Sequence, residues 1–125
     1  MFDHISLGVR DIARSRRFYD AALAPLGFTA LSVGEDSLGY GKKAVALWLS
    51  LSASPVPADP RSGLHVCFTA PSRAAVGEFH CAALAAGGRD NGAPGLRADY
   101  GPTYYAAYVV DPDGFRLEAF TDEEA

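Results

Sequence analysis

The chain has 125 residues, enough for one domain with a real hydrophobic core and short for two independent ones. It is 49% hydrophobic and 21% charged, the composition of a globular protein rather than a disordered one. A net charge of −4, with the cations scattered apart from Arg14, Arg16 and Arg17 on one predicted helix, excludes nucleic acid and anionic membrane as main partners.

In chain order, Phe2–Val9 alternates as a half-buried strand, and Asp11 is placed to cap the helix that follows. Ile12, Tyr19, Leu23 and Leu26 make the apolar stripe of that helix, and Gly27 stops it. Strands are predicted at Phe28–Val33, Ser37–Gly41 and Ala44–Leu51, with turns at Gly34, Asp36 and Gly41–Lys43. Residues 53–62, with three prolines, read as a linker between a first module (1–52) and a second (63–121). The second begins with a strand, Leu64–Thr69, and a helix capped by Ser72 that runs through Ala86 to Gly87–Gly88. A long loop is expected over Asp90–Pro102, then strands at Thr103–Val110 and Phe115–Phe120. Asp111-Pro112-Asp113-Gly114 between them has hairpin-turn chemistry. The acidic tail, 122–125, is expected to fray.

The start shows no basic region followed by an apolar run, and no stretch reaches the roughly 18 apolar residues that span a bilayer. Cys67 and Cys81 lack metal-type CxxC spacing, so reduced thiols in a cytoplasmic protein are expected.

Placing residue n over residue n+61 matches His4 with His65, Phe18 with Phe79 and Gly27 with Gly88 in one ungapped register. The match indicates a duplication in which each half is a βαβββ unit. The fold class is therefore α+β, two tandem βαβββ modules forming a curved, mostly antiparallel sheet around a shared cleft. His4 and His65 open equivalent strands and are expected to point into that cleft. Glu118, flanked by apolar residues on the last strand, needs a partner or a role. Aligning Val45–Ser50 with Phe115–Phe120 makes Trp48 its counterpart.

Two imidazoles and one carboxylate are the donors of a facial triad, so His4, His65 and Glu118 are candidate ligands for a divalent ion: Zn, Ni, Mn, Co or Fe. Cys67, two residues past His65, reads as a soft ligand, a nucleophile or a small buried hydrophobe. Arg97, Tyr100, Tyr104 and Tyr105 are placed to line the cleft mouth, Arg97 as an anchor for an anionic substrate. Trp48 is pocket wall or core, and His80, within a helix, is a surface or packing residue.

Asp3-His4-Ile5, Ser15-Arg16-Arg17-Phe18-Tyr19-Asp20, Leu26-Gly27-Phe28 and Asp111–Gly114 with Leu117-Glu118 together resemble the vicinal oxygen chelate superfamily, over nearly the whole chain. That superfamily includes glyoxalase I, extradiol dioxygenases, fosfomycin-resistance and bleomycin-binding proteins. The resemblance implies paired βαβββ modules, a U-shaped cleft and metal-ligand roles for His4, His65 and Glu118. It also implies a homodimer, which in some members shares one site between chains. Where many metal-dependent relatives place a carboxylate or a histidine, this sequence has Trp48. The leading functional expectation is a metal-dependent, glyoxalase-like lyase or isomerase acting on a small oxygenated substrate, with Glu118 also the catalytic base. The alternatives are a metal-free sequestering protein of the bleomycin-resistance type and a dioxygenase.

Overall fold

Both helices of the computed structural model, which describes residues 1–124, begin in the same way. The Asp11 carboxylate accepts from the Arg14 amide ahead of α1 (Ile12–Leu23), and the Ser72 hydroxyl accepts from the Ala75 amide ahead of α2 (Arg73–Ala85). Each cap satisfies one of the amides that a helix start leaves without a partner. The two caps are 61 residues apart, the same spacing as the sequence repeat. A short 3-10 turn, Ala24–Leu26, extends α1 to Gly27.

The strands are β1 (Ile5–Val9), β2 (Thr29–Val33), β3 (Ser37–Gly41), β4 (Val45–Leu51), β5 (Val66–Thr69), β6 (Arg89–Leu96), β7 (Tyr105–Val110) and β8 (Arg116–Thr121). They form two four-stranded sheets of identical plan, ordered β1-β4-β3-β2 and β5-β8-β7-β6. In each, the first strand runs parallel to the last, and the other pairings are antiparallel. The expected pair of βαβββ modules is present. Among the described residues no helix is long and apolar enough to cross a membrane.

One element departs from the sequence reading. The loop expected over Asp90–Pro102 is, in its first part, strand β6. Gly92, Pro94 and Gly95 read as breakers, but here they make bulges. Pairing steps from Asp90↔Val109 to Gly92↔Tyr108 and then to Gly95↔Ala106. Gly92 takes φ +151°, which L side chains rarely adopt, and Pro94 is tolerated because β6 is an edge strand. Of the acidic tail, Ala125 lies outside the described residues; Arg73 Nε donates to the Glu123 carbonyl at 3.2 Å.

Strand alternation sends Leu7, Val9, Leu47 and Leu49 of sheet one into the core, and Ala107, Val109, Leu117 and Ala119 of sheet two. They join one cluster with Phe18 of α1 and Phe79 of α2, the duplicated pair, both fully buried. Each sheet thus turns its inner face to a shared core built around the two helices. The opposite face of each sheet stays open.

A polar clasp ties the halves together. The β7–β8 turn docks on α1, where Asp111 accepts from the Tyr19 hydroxyl at 2.5 Å and from the amides of Asp113 and Phe115 at 2.9 and 2.8 Å. Asp113 accepts from the Arg10 amide at 2.9 Å and from the Arg14 guanidinium at 3.1 Å. Burial, and then the neighbouring Asp113, raise the Asp111 carboxyl above the ordinary carboxylate range, against the pull of the Tyr19 hydrogen bond. Since its folded pKa exceeds its unfolded one, the folded state binds more protons in the interval between them. The Asp111 contribution to stability therefore grows as pH falls through that interval. Thermal unfolding between about pH 7 and about pH 4 should show the wild type gaining on Asp111→Asn as the pH drops; a gap that is flat or shrinks removes this account. Tyr19→Phe should cost about 1–2 kcal/mol at neutral pH.

Candidate functional site

The pairing of β8 with both its neighbours positions Glu118. Parallel pairing puts Cys67 of β5 beside it, and antiparallel pairing puts Tyr108 of β7 on its other side. Leu117 and Ala119 point into the core, so alternation turns Arg116, Glu118 and Phe120 onto the open face of sheet two. The Glu118 side chain is only 3% exposed. A carboxylate so enclosed needs partners, and both its oxygens have one. His65 Nε2 donates to Oε1 at 2.9 Å, and the Tyr104 hydroxyl donates to Oε2 at 2.5 Å.

Aromatic rings surround this pair. Tyr104 stacks on Phe120 with centroids 4.3 Å apart and meets Tyr100 edge-on at 5.3 Å. His65, Tyr100, Tyr104, Tyr108 and Glu118 line a hollow of about 280 Å³. Burial first, and then the Glu118 carboxylate, hold the Tyr104 and Tyr108 phenols above their ordinary pKa, so both are donors at neutral pH. Burial of its sulfur, and then Glu118, push the Cys67 thiol up to about 12, although the residue as a whole is exposed. Cys67 is therefore a thiol beside the carboxylate and not a thiolate nucleophile.

Sheet one repeats the register with different chemistry. Trp48 pairs with Ser6 and Gly39 just as Glu118 pairs with Cys67 and Tyr108. Its ring lies over Gly39, where a Cβ would come within 2.8 Å of Trp48 Cζ3. Around it the outward positions are small: Ser6, Gly8, Ser50.

His4 and His65 precede the first strands of different sheets. His4 sits ahead of β1, on the sheet-one side, with its side chain 46% exposed and Nδ1 2.7 Å from Asp3 Oδ1. Both sheets spend their inner faces on the common core. Among the described residues no group of three or more His, Cys, Asp or Glu is placed to hold a metal ion. His65 and Glu118 are one imidazole and one carboxylate in contact, donors that suit a divalent ion once a third comes from outside the chain.

Other sequence candidates fall as follows. Tyr100 lines the Glu118 hollow. Tyr105 does not; it packs against the core with Arg73 of α2 over its ring, because it is one residue out of phase with Tyr104. Arg97 stacks over Tyr108, 5.2 Å from the centroid, and its Nη2 donates to the Ala93 carbonyl at 2.7 Å, so its guanidinium is already engaged. His80 pairs with Asp90 at 2.9 Å, away from Glu118. Tyr108, Arg116 and the Tyr104–Glu118 bond were missed. Counting by twos along the last two strands from Glu118 would have found Arg116 and the Tyr104/Tyr108 pair.

Trp48 is the only tryptophan, so its packing has a direct readout. Gly39→Ala should lift the ring from the sheet, shift its emission to longer wavelength and cost about 1–3 kcal/mol. Unchanged emission in the folded variant would mean that Gly39 does not seat the ring.

Residues 1–119 match the sequence model of the Glyoxalase/Bleomycin resistance protein/Dioxygenase superfamily. The chain is similar to a glyoxalase/bleomycin resistance protein from Albidiferax ferrireducens T118, with 31% identity, 96% of this chain and 98% of that one covered, and a TM-score of 0.85. A glyoxalase-related enzyme from Fulvimarina pelagi shares the fold at 22% identity and TM-score 0.74, covering 96% of this chain and 86% of that one. A glyoxalase I variant from Zea mays does so at 22% identity and TM-score 0.72, covering 95% of this chain and 45% of that one. No curated protein sequence matches significantly.

Proposed function

We propose, from the premise that the chain belongs to the glyoxalase/bleomycin resistance protein/dioxygenase superfamily, that it is a metal-dependent enzyme of the glyoxalase type acting on a small oxygenated substrate. The observation that carries this reading is the contact of His65 with a nearly fully buried Glu118 on an open sheet face. The same face offers a hollow beside this pair.

The working unit in this reading is a homodimer. A four-stranded sheet with one uncovered face is incomplete, and Phe2, Leu64, Leu96 and Tyr100 are exposed beside those faces. Around Trp48 the outward residues of sheet one are small, and around Glu118 those of sheet two include the rings of Tyr104, Tyr108 and Phe120. Sheet one of one copy therefore fits over sheet two of another, with His4 brought to His65 and Glu118 by the second copy. A divalent ion bound there, with Zn, Ni, Mn, Co or Fe all compatible with the donors, would supply a Lewis acid to neighbouring substrate oxygens. Glu118 is the group able to take a proton from the substrate. The Tyr104 hydroxyl holds its second oxygen in place, and Cys67, Tyr100 and Trp48 bound the substrate.

A second reading, a metal-free binding protein, has one observation in its favour: both Glu118 oxygens are satisfied by His65 and Tyr104 without an ion. Dioxygenase chemistry has less support, since its usual additional histidine would have to be His80, which is paired with Asp90.

Elemental analysis of protein purified without an affinity tag or chelator separates the two readings. The enzyme reading expects stoichiometric metal that is lost in His4→Ala and His65→Ala but kept in His80→Ala. Metal-free protein whose melting temperature no divalent ion raises would sink it. For a site shared between copies, co-refolding His4→Ala with Glu118→Gln should restore about a quarter of the metal sites. No recovery would place all ligands within one chain.

A further inference from the structure

We propose that the end of this face beyond His65, where Arg89 and Arg116 flank Val110, is a subsite for an anionic group of the ligand, a carboxylate or a phosphate. The proposal rests on the open face of sheet two being the ligand site, in either reading above, and not on a metal.

Strand register builds the subsite. Arg89 pairs with Val110, and Val110 pairs with Arg116, so the two arginines occupy one level of neighbouring strands with Val110 between them. Arg116 is two residues from Glu118 on the same face of β8. His65 and Arg116 immediately precede the paired residues Val66 and Leu117, so the imidazole belongs to the same level. Three cationic or potentially cationic groups thus line up across β5, β8 and β6, one level along from Glu118.

Neighbouring hollows share walls along this face. A hollow of about 280 Å³ is lined by Arg89, Asp90, Asn91 and Arg116, with Ala58 and Pro60 of the linker at its wall. A second, of about 210 Å³, shares Asn91 and Arg116 with it, and shares His65 and Tyr108 with the Glu118 hollow. Each exceeds the roughly 30 Å³ that a water molecule occupies, so the far end has room for an oxyanion.

Among the described residues the two guanidinium groups make no direct ion pair, although Asp59 lines a neighbouring hollow with Arg116 and feels its charge. Arg14, Arg16 and Arg61 each form one. The carboxylates nearest this end are spoken for: Asp90 accepts from His80 and from the Gly92 amide, and Asp59 accepts from Arg61. A chain with net charge −4 that leaves two arginines unpaired over a concave surface presents a local anion receptor. Guanidinium forks bind carboxylate and phosphate bidentately, and the Asn91 amide adds a neutral donor. Arg97 does not belong to this set, being stacked on Tyr108 and bonded to its own strand. The ligand that fits is a small organic anion with its oxygenated end at His65 and Glu118 and its charge at Arg89 and Arg116.

The test titrates the protein as purified with orthophosphate and, separately, acetate at constant ionic strength, following backbone amides by nitrogen–proton NMR. Metal content is measured in parallel. Saturable shifts centred on Asn91, Gly114 and Arg116 are expected, with the dissociation constant raised at least about tenfold in Arg89→Gln and in Arg116→Gln and unchanged in Arg97→Gln. A wild type without saturable shifts at these amides overturns the subsite whether or not the variants fold, as does equal binding by the Arg89→Gln/Arg116→Gln double variant. Phosphate binding by wild type that is metal-free and whose melting temperature no divalent ion raises keeps the subsite and sinks the enzyme reading; metal-loaded protein that binds neither anion does the reverse.

Discussion

The fit between the Asp111–Gly114 turn and helix α1 is the constraint on which the rest of the arrangement depends. Each module alone leaves its helix half covered, and apolar contact between α1 and α2 supplies area without direction. The turn supplies direction. Asp111 is committed to the Tyr19 hydroxyl and two amides, and Asp113 to the first turn of α1, where a carboxylate is also favoured by the helix dipole. Buried groups with several fixed partners tolerate one geometry only. Since β7 and β8 leave from this turn, the clasp also sets how β8, and with it Glu118, sits relative to module one.

From that anchor the site follows by register. Seven residues after Asp111, alternation brings Glu118 to the open face, and the parallel pairing with β5 brings His65 to it. A slip of one residue in β8 would exchange Glu118 for Leu117 and place a carboxylate in the core. The cost of that exchange protects the register, so the residue that is hardest to bury is also what fixes the site's position. Tyr104 completes the enclosure from the strand next door and gives the second carboxylate oxygen a donor.

Much of this was legible in the sequence because it depends on period and repetition. The βαβββ plan, both helix caps and the equivalence of Trp48 with Glu118 follow from alternation and the 61-residue offset. β6 was hidden because Gly92, Pro94 and Gly95 are breakers in isolation and become bulge residues only once an edge strand has a partner. Tyr105 was put on the wrong face because a pair of adjacent tyrosines gives no phase until β7 is paired. His4 and His65 are equivalent, but equivalence in a duplicated chain says nothing about which faces meet. Here the shared core takes the inner faces of both sheets, and the two histidines precede strands of different sheets.

The divergence of the two halves is the most informative part of the repeat. Symmetry gives each sheet the same three neighbouring positions on its open face, and they hold Ser6, Trp48 and Gly39 in one and Cys67, Glu118 and Tyr108 in the other. Sheet one carries no charge at these positions and offers a flat ring on a carpet of small residues. Sheet two gathers the carboxylate, its hydrogen-bond donors and, one level away, two unpaired arginines. A polar pair like His65–Glu118 is best kept where solvent is thinned but access remains, and a ring laid over glycine is a wall that thins solvent without competing for ligands. In the proposed reading the halves divide the work, sheet two holding the polar end of a ligand and sheet one supplying the surface that closes over it.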